Sequence, residues 1–441
     1  MPIRLDINDK DFHQRMEQLV HHRRDTHHEV EQDVRRIIDD VKAHGDDAVI
    51  KYTQQWDDKH MTIETMRISQ QACRTALESI STEQRHALDH AIQRIRTYHE
   101  AQTPQDYETT DAHGIVLGMR WRPIERVGLY IPGGTAAYPS SLLMNAIPAQ
   151  VAGVKNVISV VPCPQGQTNP LVLAAASLLD ITDIYRVGGA QAIAALAYGT
   201  QTIPKTDKIV GPGNQYVAEA KRRVFGVVGI DMIAGPSEVV IVADKTAHAP
   251  WVAIDLLAQA EHDENAQSIV ITDDKTLCQQ VEHAVEEQLR TLPRAGIAKK
   301  SWEKHGALIL VNNLASDAPT LIDQLAGEHL QLEMDNPASF MQKIRYAGSI
   351  FLGHHTPEAI GDYIGGPNHV LPTSRSARFS SGLSVYDFLV RNSYMACNAQ
   401  TIHALGKDAV TLAEAEGLDA HARSVNMRLN NAPTHKSQQE V

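Results

Sequence analysis

The chain has 441 residues, with 41 Lys and Arg against 53 Asp and Glu, a formal charge of −12, and 43% hydrophobic residues. That much apolar material excludes a disordered chain, and a net acidic surface without a Lys/Arg block argues against a nucleic-acid partner. No apolar run approaches the roughly 20 residues a bilayer needs, and the longest, such as Leu171 to Leu179, suit a buried helix.

This length implies about two to four domains. The N-terminus, MPIRLDINDKDFHQ, is charged and carries no apolar stretch, so no secretory signal is expected. Cys73, Cys163, Cys278 and Cys397 lie far apart with no paired spacing, which reads as reduced thiols in a cytoplasmic chain. The run HHRRDTHH at 21–28 reads as a polar helix face.

From Glu17 to Glu100 the pattern is helical: Val30, Val34, Ile37, Ile38 and Val41 recur at i, i+3/i+4, and Gly45 suits a C-cap. A second amphipathic stretch runs from Ser69, a candidate N-cap, to His99. At Val127 short β-branched runs begin to alternate with Ala/Leu-rich helical runs. VGLYI (127–131) leads into PGGT, VISVV (157–161) into a Pro-rich loop, IYRV (184–187) into GGAQ, and KIV (208–210) into GPGN. MIAGPSEVVIVAD (232–244) closes the series with a strand, and after Pro250 the alternation resumes through SIVIT (268–272), LILV (308–311) and SIFL (349–352). Continuous apolar strands separated by helices imply parallel sheets covered on both faces. The predicted fold class is α/β, with two doubly wound, Rossmann-like domains, a helical N-terminal segment and a C-terminal helical arm. The expected division is 1–25, a discontinuous domain of 26–129 with 238–380, a nucleotide-type domain at 130–237, and an arm at 381–441 ending in a polar tail, NNAPTHKSQQEV.

Three Gly-rich joins, PGGT (132–135), GGAQ (188–191) and GPGN (211–214), stand where strands end and helices begin, the place where open α/β sheets bind anionic ligands. None completes G-x-G-x-x-G, and glycine also makes plain tight turns. In LLAQAEHDEN (256–265), Gln259 and His262 are i, i+3 neighbours that could share a metal, or form an ordinary polar helix end. GEHLQLE (327–333) sets Glu328 and His329 side by side, residue types suited to activating water and to general base work, or to a solvated loop. The loop-like GDYIGGPNHVLPT (361–373) carries Asp362 and His369. EAEGLDAHARSV (414–425) carries Glu416 and His421, about 140° apart on an unbroken helix unless Gly417 interrupts it.

Taken together, these segments resemble the histidinol dehydrogenase family over about Val30 to Leu429. IDMIAGPSEVVIVAD (230–244) resembles the family signature, and GLYIPGG, VGGAQAIAALAYGT, KIVGPGN, LAQAEH, GEHL, GPNHVLPT and GLDAHARSV follow in the family's order. The resemblance implies an NAD- and zinc-dependent enzyme of histidine biosynthesis acting on L-histidinol. It implies Gln259, His262, Asp362 and His421 as zinc ligands, and Glu328 and His329 as the acid–base pair. It further implies Tyr130, Gln191 and Asn214 as NAD contacts. Ser237, His369 and Glu416 are implied as substrate contacts, with Gln259, His262, His329, Asp362 and His421 touching substrate as well. A homodimer with arm exchange, donating Glu416 and His421 in trans, is also implied. No cysteine falls in these segments, so no covalent thiohemiacetal is expected.

Overall fold

A computed structural model of the chain describes residues 1–21, 28–133 and 138–430. The end of PGGT, most of HHRRDTHH and the tail from 431 lie outside the described residues. The strands in chain order are β1 (Ile3–Asp6), β2 (Tyr107–Thr110), β3 (Val116–Pro123), β4 (Arg126–Tyr130) and β5 (Asn156–Val160). They continue with β6 (Asp183–Tyr185), β7 (Lys208–Val210), β8 (Gly229–Ile230), β9 (Glu238–Ala243) and β10 (Gln267–Thr272). The last are β11 (Ala307–Leu310), β12 (His329–Glu333), β13 (Ser349–Leu352) and β14 (Leu389–Ala396). The chain forms two compact units, Met1–Thr103 with Ile124–Phe388, and Pro104–Pro123 with Leu389–Val441.

The first unit is α/β and holds two parallel sheets. One has five strands in the order β6-β5-β4-β7-β8, the other six in the order β1-β11-β10-β9-β12-β13. In each, the first strand of the half (β4 or β9) lies between the second and the fourth, so the strand order reverses beside it, as in doubly wound folds. EVVIVA of β9 and QSIVIT of β10 are buried along their whole length because helices cover both faces. β9 stands between β10 and β12, with Val240 beside both Ile269 and Leu330.

The N-terminal helices form where the periodicity placed them. Val34 and Val41 of the helix His28–His44 are buried, and Gly45, at φ +55°, returns its N–H to the Val41 carbonyl at 2.8 Å. The stretch opening at Ser69 is two helices, Gln70–Ser79 and Thr82–Glu100. Ser69 caps the first, and a capping box of Ser81 with Gln84 starts the second.

The grouping of 26–129 with 238–380 is not what the packing shows. Val34, Ile37 and Val49 share a core with Ile158, Val160, Ala194 and Ile209 of the five-stranded half. Leu88, Ala91 and Ile95 pack with Leu142, Leu143 and Ala174 of that same half. An apolar stripe shows that a helix covers a surface, and says nothing about which one. The segment 1–25 carries the expected helix, Phe12–His21, and before it β1 pairs in parallel with β11, Ile3 beside Ala307. Four residues with one buried side chain, Leu5, carry too little alternation to read as a strand.

In the second unit β3 lies between β2 and β14, both antiparallel to it. The helices Ala399–Ala415 and Asp419–Asn430 follow, and Gly406 allows the side chain of Leu429 to approach closely. The expected arm, 381–441, thus includes the strand β14 before its two helices. Among the described residues, no helix is long and apolar enough to cross a membrane.

Candidate active site

Of the predicted site residues, Ser237 stands at the N-terminal end of β9, and Glu328 and His329 at that of β12. The helix Ala249–Ala260 carries Gln259, and His262 follows in the next turn. The helix Glu358–Tyr363 carries Asp362, and the loop after it His369. Ser237 precedes β9, its carbonyl accepting the N–H of Gln267 at 2.9 Å.

Glu328 and His329 are both buried. The N–H of Glu238 donates to Oε2 of Glu328 at 3.0 Å, and Nδ1 of His329 lies 3.1 Å from the Glu238 carbonyl. A carbonyl only accepts, so Nδ1 carries the ring proton and Nε2 keeps its lone pair. That Nε2 has no hydrogen-bond partner and stands 4.0 Å from Oδ1 of Asp362. Burial pushes His329 down to about 3 and His369 down to about 4, and lowers His262, so these rings are neutral. His369 is held by its Nδ1, 3.0 Å from the Asp362 carbonyl, with Nε2 at 3.4 Å from the Ser141 hydroxyl.

The acids are pushed the other way. Burial raises Asp362 to about 6, and burial with Asp362, Glu328 and Asp255 nearby raises Glu358 well above the usual carboxylate range. His329, Glu358 and Asp362 each bring a ligand-type atom within 4.8 Å of the others. The Gln259 amide donates to Nδ1 of His262 at 3.4 Å, leaving its fully buried Oε1 without a partner, as is Oε2 of Glu358. Buried acceptor atoms with nothing to accept, among acids whose charge is unmatched, are what a cation would satisfy. Among the described residues, His329, Glu358 and Asp362 bring ligand-type atoms together in this way. Glu358 is absent from the sequence reading, although its i, i+4 spacing to Asp362 on one helix face was a usable signal. His421 and Glu416 belong to the second unit, His421 on the helix Asp419–Asn430 and Glu416 closing the helix before it, both exposed.

The predicted nucleotide residues line the C-terminal edge of the five-stranded sheet. Tyr130 ends β4; its hydroxyl accepts the N–H of Gly189 at 3.1 Å, and burial pushes it up to about 12. Gln191 is buried with Oε1 unpartnered. Asn214 caps the helix Gln215–Val224, its side-chain Oδ1 accepting the N–H groups of Tyr216 and Val217. Gly211, at φ +112°, passes so close to the Tyr130 carbonyl that a Cβ would lie 2.1 Å from it. The buried Lys221–Asp231 pair holds both sides of that residue: Asp231 accepts the Gly211 N–H at 2.7 Å, and Lys221 donates to its carbonyl at 3.0 Å.

Comparison with known proteins shows the family. The sequence profile of the histidinol dehydrogenase family matches residues 20–429. The chain belongs to the histidinol dehydrogenase family. The histidinol dehydrogenase of Rhodospirillum rubrum is 54% identical over 430 residues, 98% of this chain and 99% of that one. That of Bradyrhizobium diazoefficiens is 55% identical over 430 residues, 98% of this chain and all of its own. The crystal structure of the Elizabethkingia anophelis histidinol dehydrogenase superposes with a TM-score of 0.92 at 37% identity, covering 97% of this chain and 98% of that one.

One buried acid beside the site has a measurable consequence. Burial pushes Asp255 up to about 6, with Glu333 adding repulsion, although Gln331 donates to it at 2.6 Å. The folded state therefore binds this proton more tightly than the unfolded chain, so the stability present below the unfolded pKa is lost as pH rises through about 6. Asp255→Asn keeps an acceptor for Gln331 and removes the charge. Thermal unfolding should show the variant more stable than wild type at about pH 8, by on the order of 1–3 kcal/mol, and equal to it at about pH 4.

Proposed function

We propose that the chain oxidises L-histidinol to L-histidine in two steps, passing one hydride to NAD+ in each, with a bound zinc ion. The observation that carries this reading is the neutral, unpartnered Nε2 of His329, buried beside Glu328 and within 4.0 Å of Asp362. Gln259, His262 and Asp362, with His421 of the partner subunit, would hold the metal, a set of nitrogen and oxygen donors with a single carboxylate. Zinc so held supplies a Lewis acid that orients an amino alcohol.

In this reading His329 Nε2 accepts the hydroxyl proton as hydride leaves the carbinol carbon for the nicotinamide. Glu328 takes a proton from the water that adds to the resulting aldehyde. His329 then accepts a proton from the diol as the second hydride leaves. The balance is one alcohol, one water and two NAD+ giving one carboxylate, two NADH and three protons. Tyr130, Gln191 and Asn214 would contact NAD, and Ser237, His369 and the partner subunit's Glu416 the substrate. Acidic Asp362 and Glu416 suit a cationic amine better than a sulfonated diol. A thiol intermediate is not part of the scheme: Cys163 is buried and pushed up to about 12, and burial also raises Cys73 and Cys278. Such a cycle belongs in the cytoplasm, where the nicotinamide pool is found.

The test is an assay of purified protein with L-histidinol and NAD+. We expect two NADH per histidinol consumed, activity lost to a chelator, and recovery on adding Zn2+. Turnover of a sulfonated diol in place of histidinol overturns the substrate assignment, and activity indifferent to the chelator overturns the metal.

A further inference from the structure

On β12 the side chains of His329, Gln331 and Glu333 fall on one face, because alternate residues of a strand share a face. All three are buried, while Leu330 and Leu332 on the opposite face join an apolar core. A polar stripe inside a protein is costly unless each group finds partners. Gln331, at its centre and fully buried, uses all of its hydrogen-bonding groups but one lone pair. Its Nε2 donates to Oδ2 of Asp255 at 2.6 Å and to Oε1 of Glu333 at 2.5 Å, and its Oε1 accepts the N–H of Glu358 at 3.4 Å.

The partners are spread over the elements that build the site. Asp255 lies on the helix Ala249–Ala260, one turn before Gln259. Glu358 opens the helix Glu358–Tyr363, one turn before Asp362. Gln331 itself stands two residues beyond His329 on β12. A single carboxamide therefore ties together the strand that carries the base and the two helices that carry Gln259 and Asp362. Glu333 anchors the far side, its other oxygen 2.9 Å from Nδ1 of His354, whose Nε2 is 3.1 Å from the Thr246 hydroxyl. The residue type follows from the neighbours. Only an uncharged amide offers two N–H donors to two carboxylates and an acceptor to a backbone N–H; a carboxylate there would be a third negative group.

We propose that Gln331 is the positioning residue of this site, setting where Gln259 and Asp362 stand relative to His329. The proposal rests on the zinc-dependent reading above, because a metal centre tolerates errors of only about 0.2 Å in its ligand distances.

The test uses full-length wild type and the variants Gln331→Met, Glu333→Gln and Glu333→Leu. Zinc affinity is measured by competition with a chromophoric chelator, kcat and KM by steady-state assay, and stability by thermal unfolding of the metal-free protein. In Gln331→Met, zinc affinity and kcat should each fall about 10–100-fold. KM for NAD+ should stay within about twofold, since its predicted contacts lie on the other sheet. Glu333→Gln, which keeps the acceptor for Gln331, should stay within about twofold of wild type, whereas Glu333→Leu should lose about threefold or more in zinc affinity. A folded Gln331→Met with a lowered unfolding midpoint but wild-type zinc affinity and kcat overturns the proposal. If Gln331→Met does not fold, Glu333→Leu decides, and wild-type zinc affinity there overturns it equally. A wild-type protein that takes up no zinc overturns the reading of function, and this proposal with it.

Discussion

Replacing His329 by asparagine should lower kcat for histidinol oxidation by about 10²–10⁴-fold, the usual cost of removing a positioned general base. The size is decided by what the ring does. Its Nδ1 is held by the Glu238 carbonyl, and burial keeps the ring neutral, so Nε2 presents a lone pair throughout the neutral pH range. Asparagine offers no comparable base. The lost hydrogen bond would cost about 1 kcal/mol of stability, whereas the expected rate loss corresponds to about 2.7–5.5 kcal/mol of barrier, so the two effects separate. His329 is not a zinc ligand in this reading, and the variant should bind zinc as wild type does. The measurement is steady-state kinetics beside chelator competition; a kcat within a few-fold of wild type removes His329 from the chemistry.

The second large effect concerns assembly. Glu328→Gln and His421→Ala should each be nearly inactive alone, yet an equal mixture of the two chains, dissociated and reassociated, should recover about a quarter of wild-type activity. If Glu416 and His421 of the partner subunit complete each site, half the dimers are mixed and each mixed dimer has one site with both residues intact. In the second unit the helices leave Leu405, Leu412 and Met427 exposed, the turn between them Leu418, and β14 Val390 and Met395, apolar area that a second copy would cover. No recovery on mixing means that each chain uses its own arm, or that the arm takes no part.

Local pattern reached far into this protein. The β-branched runs at 127–131 and 268–272 announced two parallel sheets, because strands buried on both faces must be apolar throughout. Glu328 and His329 stood out as candidates because two ionisable residues come just before the apolar run of β12, where the strand itself has no need of them. Asn214 stood in the strand–helix join GPGN, and its hydrogen bonds make it a helix cap, a position Asn favours.

Tertiary structure decided what depends on partners distant in sequence. The stripe of Val30, Val34 and Ile37 dictates a covering helix; only packing assigns it to the five-stranded sheet. Ile3–Asp6 is a strand because β11 offers an open edge, since four residues cannot specify one themselves. Glu358 and Gln331 take their places only when the helix Glu358–Tyr363 and β12 come together, when one stands 3.7 Å from Nδ1 of His329 and the other bridges two buried carboxylates. Periodicity records which face of an element is apolar, whereas a site is made by strand order, which sets elements some 75–100 residues apart within hydrogen-bonding reach.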